Sequence, residues 1–233
     1  LPDEGNTREG VKLFPLDWET MPVRLKDGRF THKLRRPTPE LVYERDAELQ
    51  REVPIARDGS FATPDPTLNE ETDARYYDKL IVEATGYPGD VPVQHKAAAF
   101  QGIYLRSVEV EEGVDAFADE VPVVEEVGTG DEPDYVITHV MRQPAESELK
   151  RYRRRSSQGE VKPGKRGKQR FISRSGLKNA VEHYDLWCVG IQGAFIEAQP
   201  DADTPALKNA VDPLIKRMVV EAFVGEISGN LLD

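Results

Sequence analysis

Thr31-His32-Lys33-Leu34-Arg35-Arg36-Pro37 returns as Thr138-His139-Val140-Met141-Arg142-Gln143-Pro144, a displacement of 107 positions. A second anchor, Tyr77-Asp78, returns as Tyr184-Asp185 at the same displacement, across about forty residues of unlike sequence. Chance does not easily keep register over that distance, so the chain reads as two diverged copies of one module of roughly 100 residues. Around the second anchor Ala74, Tyr77, Ile81 and Ala84 are answered by Val181, Tyr184, Cys188 and Ile191. Their spacing of three, four and three predicts one face of a helix.

Further on, Val91, Lys96, Ala98, Ala99 and Ile103 match Val211, Lys216, Met218, Val219 and Phe223 at a displacement of 120. The second copy has therefore gained 13 residues, most simply in the polar stretch from Gln199 to Pro205. Each copy starts as a hairpin. Val23 to Leu34 alternates about Asp27-Gly28, a pair suited to positive φ, and Val121–Val127 and Tyr135–Met141 flank a longer turn around Gly128-Thr129-Gly130. Pro37 and Pro144 end these strands, because proline cannot donate to a ladder. Polar helices follow at Glu40–Gln50 and Glu146–Arg155, then turn-rich stretches around Arg57-Asp58-Gly59 and Gly164-Lys165-Arg166-Gly167, read as a small hairpin or an exposed loop.

Two packed helices complete each module. The last of them carries Leu214, Ile215, Met218, Val219, Ala222 and Phe223 as an amphipathic stripe, expected to bury itself within its own module. The fold class is α+β, a tandem duplication with an N-terminal extension at 1–21, module one at 22–108, an acidic linker at 109–120, module two at 121–227 and a tail at 228–233.

With 38% hydrophobic and 31% charged residues the chain has enough apolar content to fold around a thin core. A net charge of -11 argues against generic binding to nucleic acid or anionic membrane. No apolar run reaches the ~20 residues of a membrane helix, and Leu1 to Gly10 is polar rather than signal-like. Leu1 is not a start methionine, which leaves room for an upstream segment. Cys188, the single cysteine, has no internal partner for a disulfide and no cysteine cluster to hold zinc or iron–sulfur. It reads as a small buried apolar residue on the inward helical face.

Phosphate-binding, dinucleotide-binding, nucleophile-elbow and zinc-protease motifs are missing from the sequence. Gly164-Lys165-Arg166-Gly167-Lys168 lacks the four-residue gap and the hydroxyl of a phosphate loop. His32 shares a strand face with Phe30 and Leu34, and His139 with Ile137 and Met141. Both read as half-buried residues bonded to nearby backbone, while His95 and His183 read as surface or helix-face residues. Asp78 and Asp185 read as structural carboxylates. The expectation is a non-enzymatic chain with no cofactor and no metal.

The charge pattern asks for a partner. From Glu109 to Asp134 the sequence holds eleven acids and no base; from Lys150 to Lys178 it holds twelve bases and the single acid Glu160. Charge runs are often solvated faces and nothing more. The functional reading is a head-to-tail docking in which Arg151, Arg153, Arg154, Arg155, Lys165, Arg166, Lys168 and Arg170 of one subunit meet Glu111, Glu112, Asp119, Glu120, Glu125 and Glu126 of the next. The alternative sets the basic segment 150–170 on nucleic-acid phosphates, with Tyr152 and Phe171 as the only interleaved aromatics.

The segments His32 to Pro37 and His139 to Pro144, with Tyr77-Asp78 and Tyr184-Asp185, resemble the modules of tailed-bacteriophage virion and tail-assembly proteins. There a His-x-Leu/Met-Arg-x-Pro strand end leads into a charged helix, a Tyr-Asp helix and an amphipathic helix. That resemblance implies a structural or assembly protein of the tail, neck or capsid, binding itself or other virion subunits, found in the virion or the host cytoplasm, with no membrane partner and no catalytic residue.

Overall fold

The computed structural model describes residues 7–8, 11–26, 28–49, 53–54, 66–104, 106–115, 117–128, 133–156, 159–163, 169–173 and 176–229. A short hairpin of β1 (Thr7–Arg8) and β2 (Val11–Lys12) leads to β3 (Phe14–Pro15). The first half then runs β4 (Thr20–Leu25), β5 (Phe30–Arg35), α1 (Pro39–Leu49), β6 (Val53–Pro54), α2 (Pro66–Leu80), β7 (Ile81–Thr85) and α3 (Val93–Gly102). After β8 (Arg106–Val110), the second half runs β9 (Glu120–Val127), β10 (Tyr135–Arg142), α4 (Glu146–Ser156), β11 (Gly159–Pro163), β12 (Gln169–Ser173), α5 (Gly176–Trp187) and β13 (Cys188–Gln192). It closes with β14 (Ala194–Phe195), α6 (Thr204–Ala210) and α7 (Pro213–Gly229). The architecture is α+β.

The same displacement recurs in the strand pairing. His32 lies opposite Val23 and Ala84, and His139 opposite Val123 and Ile191. A register shift falls between Lys33 and Leu34 in β5 and between Val140 and Met141 in β10, again 107 positions apart. Helices α1 and α4 share that displacement at both ends, and α3 and α7 start 120 apart. The 13 extra residues fall between β13 and α7, where residues 193–212 replace 86–92. They hold β14, which pairs in parallel with β3, and α6, which packs on β13.

One expectation needs correction in both halves. The apolar spacing through Ile81 and Cys188 does not continue the helix: α2 stops at Leu80, α5 at Trp187, and the next five residues form the third strand of each sheet, antiparallel to β5 or β10. Strand β5, paired with β4 on one side, offers unpaired backbone groups on the other, and satisfying them outweighs a few more helical residues. Each expected pair of adjacent helices is thus helix, strand, helix, and Cys188 is buried on a strand.

The boundaries also move. Strand β8 pairs with β9 as the fourth strand of the second sheet, ordered β13-β10-β9-β8, so the linker expected at 109–120 starts inside that sheet. The expected extension at 1–21 is not an appendage, since Phe14 and Leu16 are buried in the core of the second half. There they join Ile215, Val219 and Phe223 of α7, each worth about 1.5–3 kcal/mol on full burial. Helix α7 packs against α5 and β9 of its own half, as expected, and also against β8 and α1, which precede the bounds expected for that module. A smaller core in the first half gathers Val23, Leu34, Tyr76, Tyr77, Phe100 and Ile103, and Trp18 and Tyr104 pack against both cores.

Strands β11 and β12, which flank the turn-rich stretch of the second half, pair antiparallel, and β12 pairs with β6 of the first half to make a three-stranded sheet across the halves, while Gly164 to Gly167 themselves lie outside the described residues. Its counterpart around Arg57-Asp58-Gly59, and Asp27, Thr129 and Gly130 of the hairpin turns, lie outside the described residues.

Candidate functional site

In both halves the histidine of the second hairpin strand faces the tyrosine near the end of the second helix that follows. His32 Nδ1 shares a hydrogen bond of 2.8 Å with the Tyr77 hydroxyl, and His139 Nδ1 one of 2.8 Å with the Tyr184 hydroxyl. Both imidazoles are 0% exposed, rather than half-buried against backbone as expected, so each ring needs a partner at its other nitrogen. There the halves diverge.

In the first half His32 Nε2 bonds the Tyr87 hydroxyl at 2.8 Å, which in turn bonds His95 Nδ1 at 2.8 Å, with Phe30 stacked on Tyr87. Both direct partners of His32 are tyrosine hydroxyls. Burial, helped by the nearby His95, pushes the His32 pKa below its ordinary 6.5. In the second half Ala194 occupies the Tyr87 position, and Glu125 stands at the register position of Leu25. Glu125 accepts from His139 Nε2 at 3.0 Å and from Arg106. Burial alone would lower the His139 pKa, but the adjacent Cys188 and the hydrogen-bonded, charged Glu125 outweigh it and hold the pKa above 6.5. Burial opposes the Glu125 charge too, yet the His139 hydrogen bond and the Arg106 guanidinium hold its carboxyl below the usual range.

Glu125, expected at a partner-facing surface, is 1% exposed and belongs to this buried cluster. Val121, Val123 and Val127 alternate with it on the inward face, and an acid in that alternation was the signal that could have placed it. His183 is likewise buried rather than superficial: its Nδ1–H donates to the Asn179 carbonyl at 2.7 Å, and its ring packs against Tyr152 and Trp187. Only His95 stays partly exposed.

The chemistry open to these groups is limited by access. Glu125, His139 and Cys188 would form a base-and-thiol array, but they are sealed at 1%, 0% and 2% exposure. The cavity that reaches Glu125 and Arg106, also lined by Arg36, Tyr104 and Asp212, measures about 20 Å3, room for one water. Among the described residues no group of three His, Cys, Asp or Glu side chains could hold a metal ion. Asp78 and Asp185 hold helices together: Lys96 Nζ donates to Asp78 and Lys216 Nζ to Asp185, each at 2.7 Å.

The exposed charge lies elsewhere. Helix α4 turns Lys150, Arg151, Arg153, Arg154 and Arg155 to solvent. Arg153 donates to Ser228 Oγ at 2.7 Å, and Lys150 pairs with Glu146 at 2.6 Å. Arg170 pairs with Pro54 in the β12–β6 ladder, and Lys165, Arg166 and Lys168 lie outside the described residues. Glu111, Glu112, Asp119, Glu120 and Glu126 are exposed on β9 and the loop before it. The structure thus brings Glu125 to His139 and leaves Arg151, Arg153, Arg154 and Arg155, with Glu111, Glu112, Asp119, Glu120 and Glu126, exposed.

Between the first and second helices of each half one ion pair recurs with its sign inverted. Arg75 meets Glu48 at 2.9 Å in the first half, and Glu182 meets Arg155 at 2.6 Å at the same positions in the second. Swapping polarity is therefore compatible with the frame. Glu48→Arg alone is expected to cost up to ~1 kcal/mol, and Glu48→Arg with Arg75→Glu to return within ~0.5 kcal/mol of the parent, read from urea midpoints. A double variant no more stable than the single one contradicts this.

No family model matches the chain, and the comparisons with curated proteins and solved structures found no match.

Proposed function

We propose that this chain is a structural or assembly protein that works by protein–protein contact between oppositely charged surfaces. The observation that carries the reading is the division of its polar groups. Glu125, His139, Cys188, His32 and His183 are closed into the core, while a basic helix face on α4 and an acidic run on β9 and its preceding loop are open to solvent. Opposite signs on one chain suit head-to-tail contact, in which identical subunits supply both surfaces. The resemblance of the His32 to Pro37 and His139 to Pro144 segments to tailed-phage modules makes a virion component the setting for this work.

The test is mass by light scattering across a salt series. A mass above the 26.2 kDa of one chain at low salt is expected, falling toward it as salt rises, because raising ionic strength from about 0.05 M to 1 M shortens the screening length to about 3 Å. A single-chain mass throughout, at high protein concentration, overturns the reading.

The cations exposed on α4 also favour a second reading, contact with nucleic-acid phosphates. Tyr152, one of the two interleaved aromatics, is buried and offers no stacking platform. Reversing Arg151, Arg153 and Arg154 then flattens the salt slope in filter binding. No binding at about 50 mM salt removes this second reading.

A further inference from the structure

Beside the β12–β6 ladder, the two halves touch through a helix contact that runs one way. Helix α1 packs on α2 of its own half and also against α5 and α7 of the other. Its Tyr43 lies under Lys178 Nζ at 5.8 Å, and Asp46 stands 3.9 Å from Arg217. Val42 and Asp46 are accordingly buried. On the receiving side Leu177, next to Lys178 at the start of α5, is fully buried.

Helix α4 is the counterpart of α1, residue for residue at displacement 107, yet where α1 has Val42, Tyr43 and Asp46 it carries Leu149, Lys150 and Arg153. Leu149 is half-buried; Lys150 and Arg153 are exposed. The counterparts of Leu177 and Lys178 are Glu70 and Glu71 on α2, and both are exposed. So the first half uses its donor face and the second half its receiving face, while on the counterpart faces Lys150 and Arg153, and Glu70 and Glu71, stay exposed beside the half-buried Leu149 and the buried Ala97. A contact between unlike surfaces that leaves one of each open is heterologous, and heterologous contacts repeat from molecule to molecule.

The open faces also match in charge. In the contact within the chain, a lysine lies over a tyrosine, Lys178 on Tyr43. At the same positions between two chains, Lys150 would meet Glu71, with Arg153 beside it and Glu70 next along α2. The second pair is not reproduced, because Ala97 stands where Arg217 does, so Lys150 and Glu71 are the sharper probes.

We propose that α4 of one copy docks on the start of α2 of a second copy, at Glu70 and Glu71, repeating between molecules the contact that joins the two halves. The proposal rests on the protein-contact reading above and replaces the acidic run at 111–126 with a specific seat.

The experiment uses full-length chains at low salt. Variant one carries Lys150→Glu and Arg153→Glu; variant two carries Glu70→Lys and Glu71→Lys. All four sites are exposed, and unchanged thermal melts confirm that both variants fold. Each alone is expected to associate at least about tenfold more weakly than the parent, since like charges then face each other. An equimolar mixture is expected to regain the parent's mass, because both junctions in the mixture pair opposite charges.

If the parent associates and variant two behaves like it, the seat is wrong while the protein-contact reading stands. If association is lost instead on reversing Glu111, Glu112 and Asp119, the acidic run is the seat and this placement fails. A parent that keeps a single-chain mass overturns both.

Discussion

Glu125→Ala is expected to destabilise the protein by about 3–5 kcal/mol, the cost of stranding buried charges by removing their partner. The carboxylate is 1% exposed and bonds both Arg106 and His139, so its loss leaves a guanidinium and an imidazole buried without it. The dependence on pH makes the prediction sharper. The His139 pKa is raised above its ordinary 6.5, so its contribution is fully present below pH 6.5 and is lost as pH rises through the folded-state value. The Glu125 pKa is lowered from 4.5, so its contribution is present above pH 4.5 and is lost as pH falls through the folded-state value. Together the pair stabilises most between those two limits.

His32 works in the opposite sense. Its pKa is lowered from 6.5, so as pH falls below 6.5 the unfolded chain takes up a proton that the folded state refuses, and stability drops. The same ring at the same place in the two halves thus opposes itself across pH 6.5. Denaturant unfolding measured from pH 5 to pH 8 is expected to show wild type losing stability on the alkaline side through His139, and Glu125→Ala losing that limb. An alkaline limb that persists in Glu125→Ala would mean that the His139 charge does not depend on Glu125.

The second large effect is expected at Gly86 and Gly193, which follow the third strands at displacement 107. Both have positive φ, at 91° and 76°. A Cβ on Gly86 would run into the Arg29 carbonyl oxygen, and one on Gly193 into the Val136 carbonyl oxygen, two oxygens that are themselves 107 positions apart. Alanine carries a left-handed penalty of about 1–2 kcal/mol and about 1–3 kcal/mol more for forcing the backbone apart. Gly86→Ala and Gly193→Ala are each expected to cost about 2–5 kcal/mol, whereas Gly28→Ala, where the added Cβ meets nothing within 4 Å, costs only the conformational part. Equal urea midpoints for Gly28→Ala and Gly193→Ala would contradict this account.

Much of the frame was legible because it rests on spacing. The recurrence of His32, Pro37, Tyr77 and Asp78 at one displacement carried the two-half plan, the hairpins and the polar helices, and the jump to 120 located the extra residues. The third strands were not legible. Ile81 and Ile191 suit either helix or strand, and strand was chosen by open backbone groups on β5 and β10, which come from a part of the chain about fifty residues away.

Charge was harder still. Counted along the chain, Glu125 is one acid among eleven, and only the pleat of β9 turns it inward beneath Arg106 and His139. The opposite titration of His32 and His139 was likewise beyond reach, because it depends on Tyr87 and Glu125 arriving from other elements. The sequence by itself determined the repeated plan and the sign of each surface run, since both follow from local order and composition. Which charges are buried, and which of two equivalent helices is covered by the other half, only the tertiary structure decided, because burial and dielectric depend on neighbours distant in the chain.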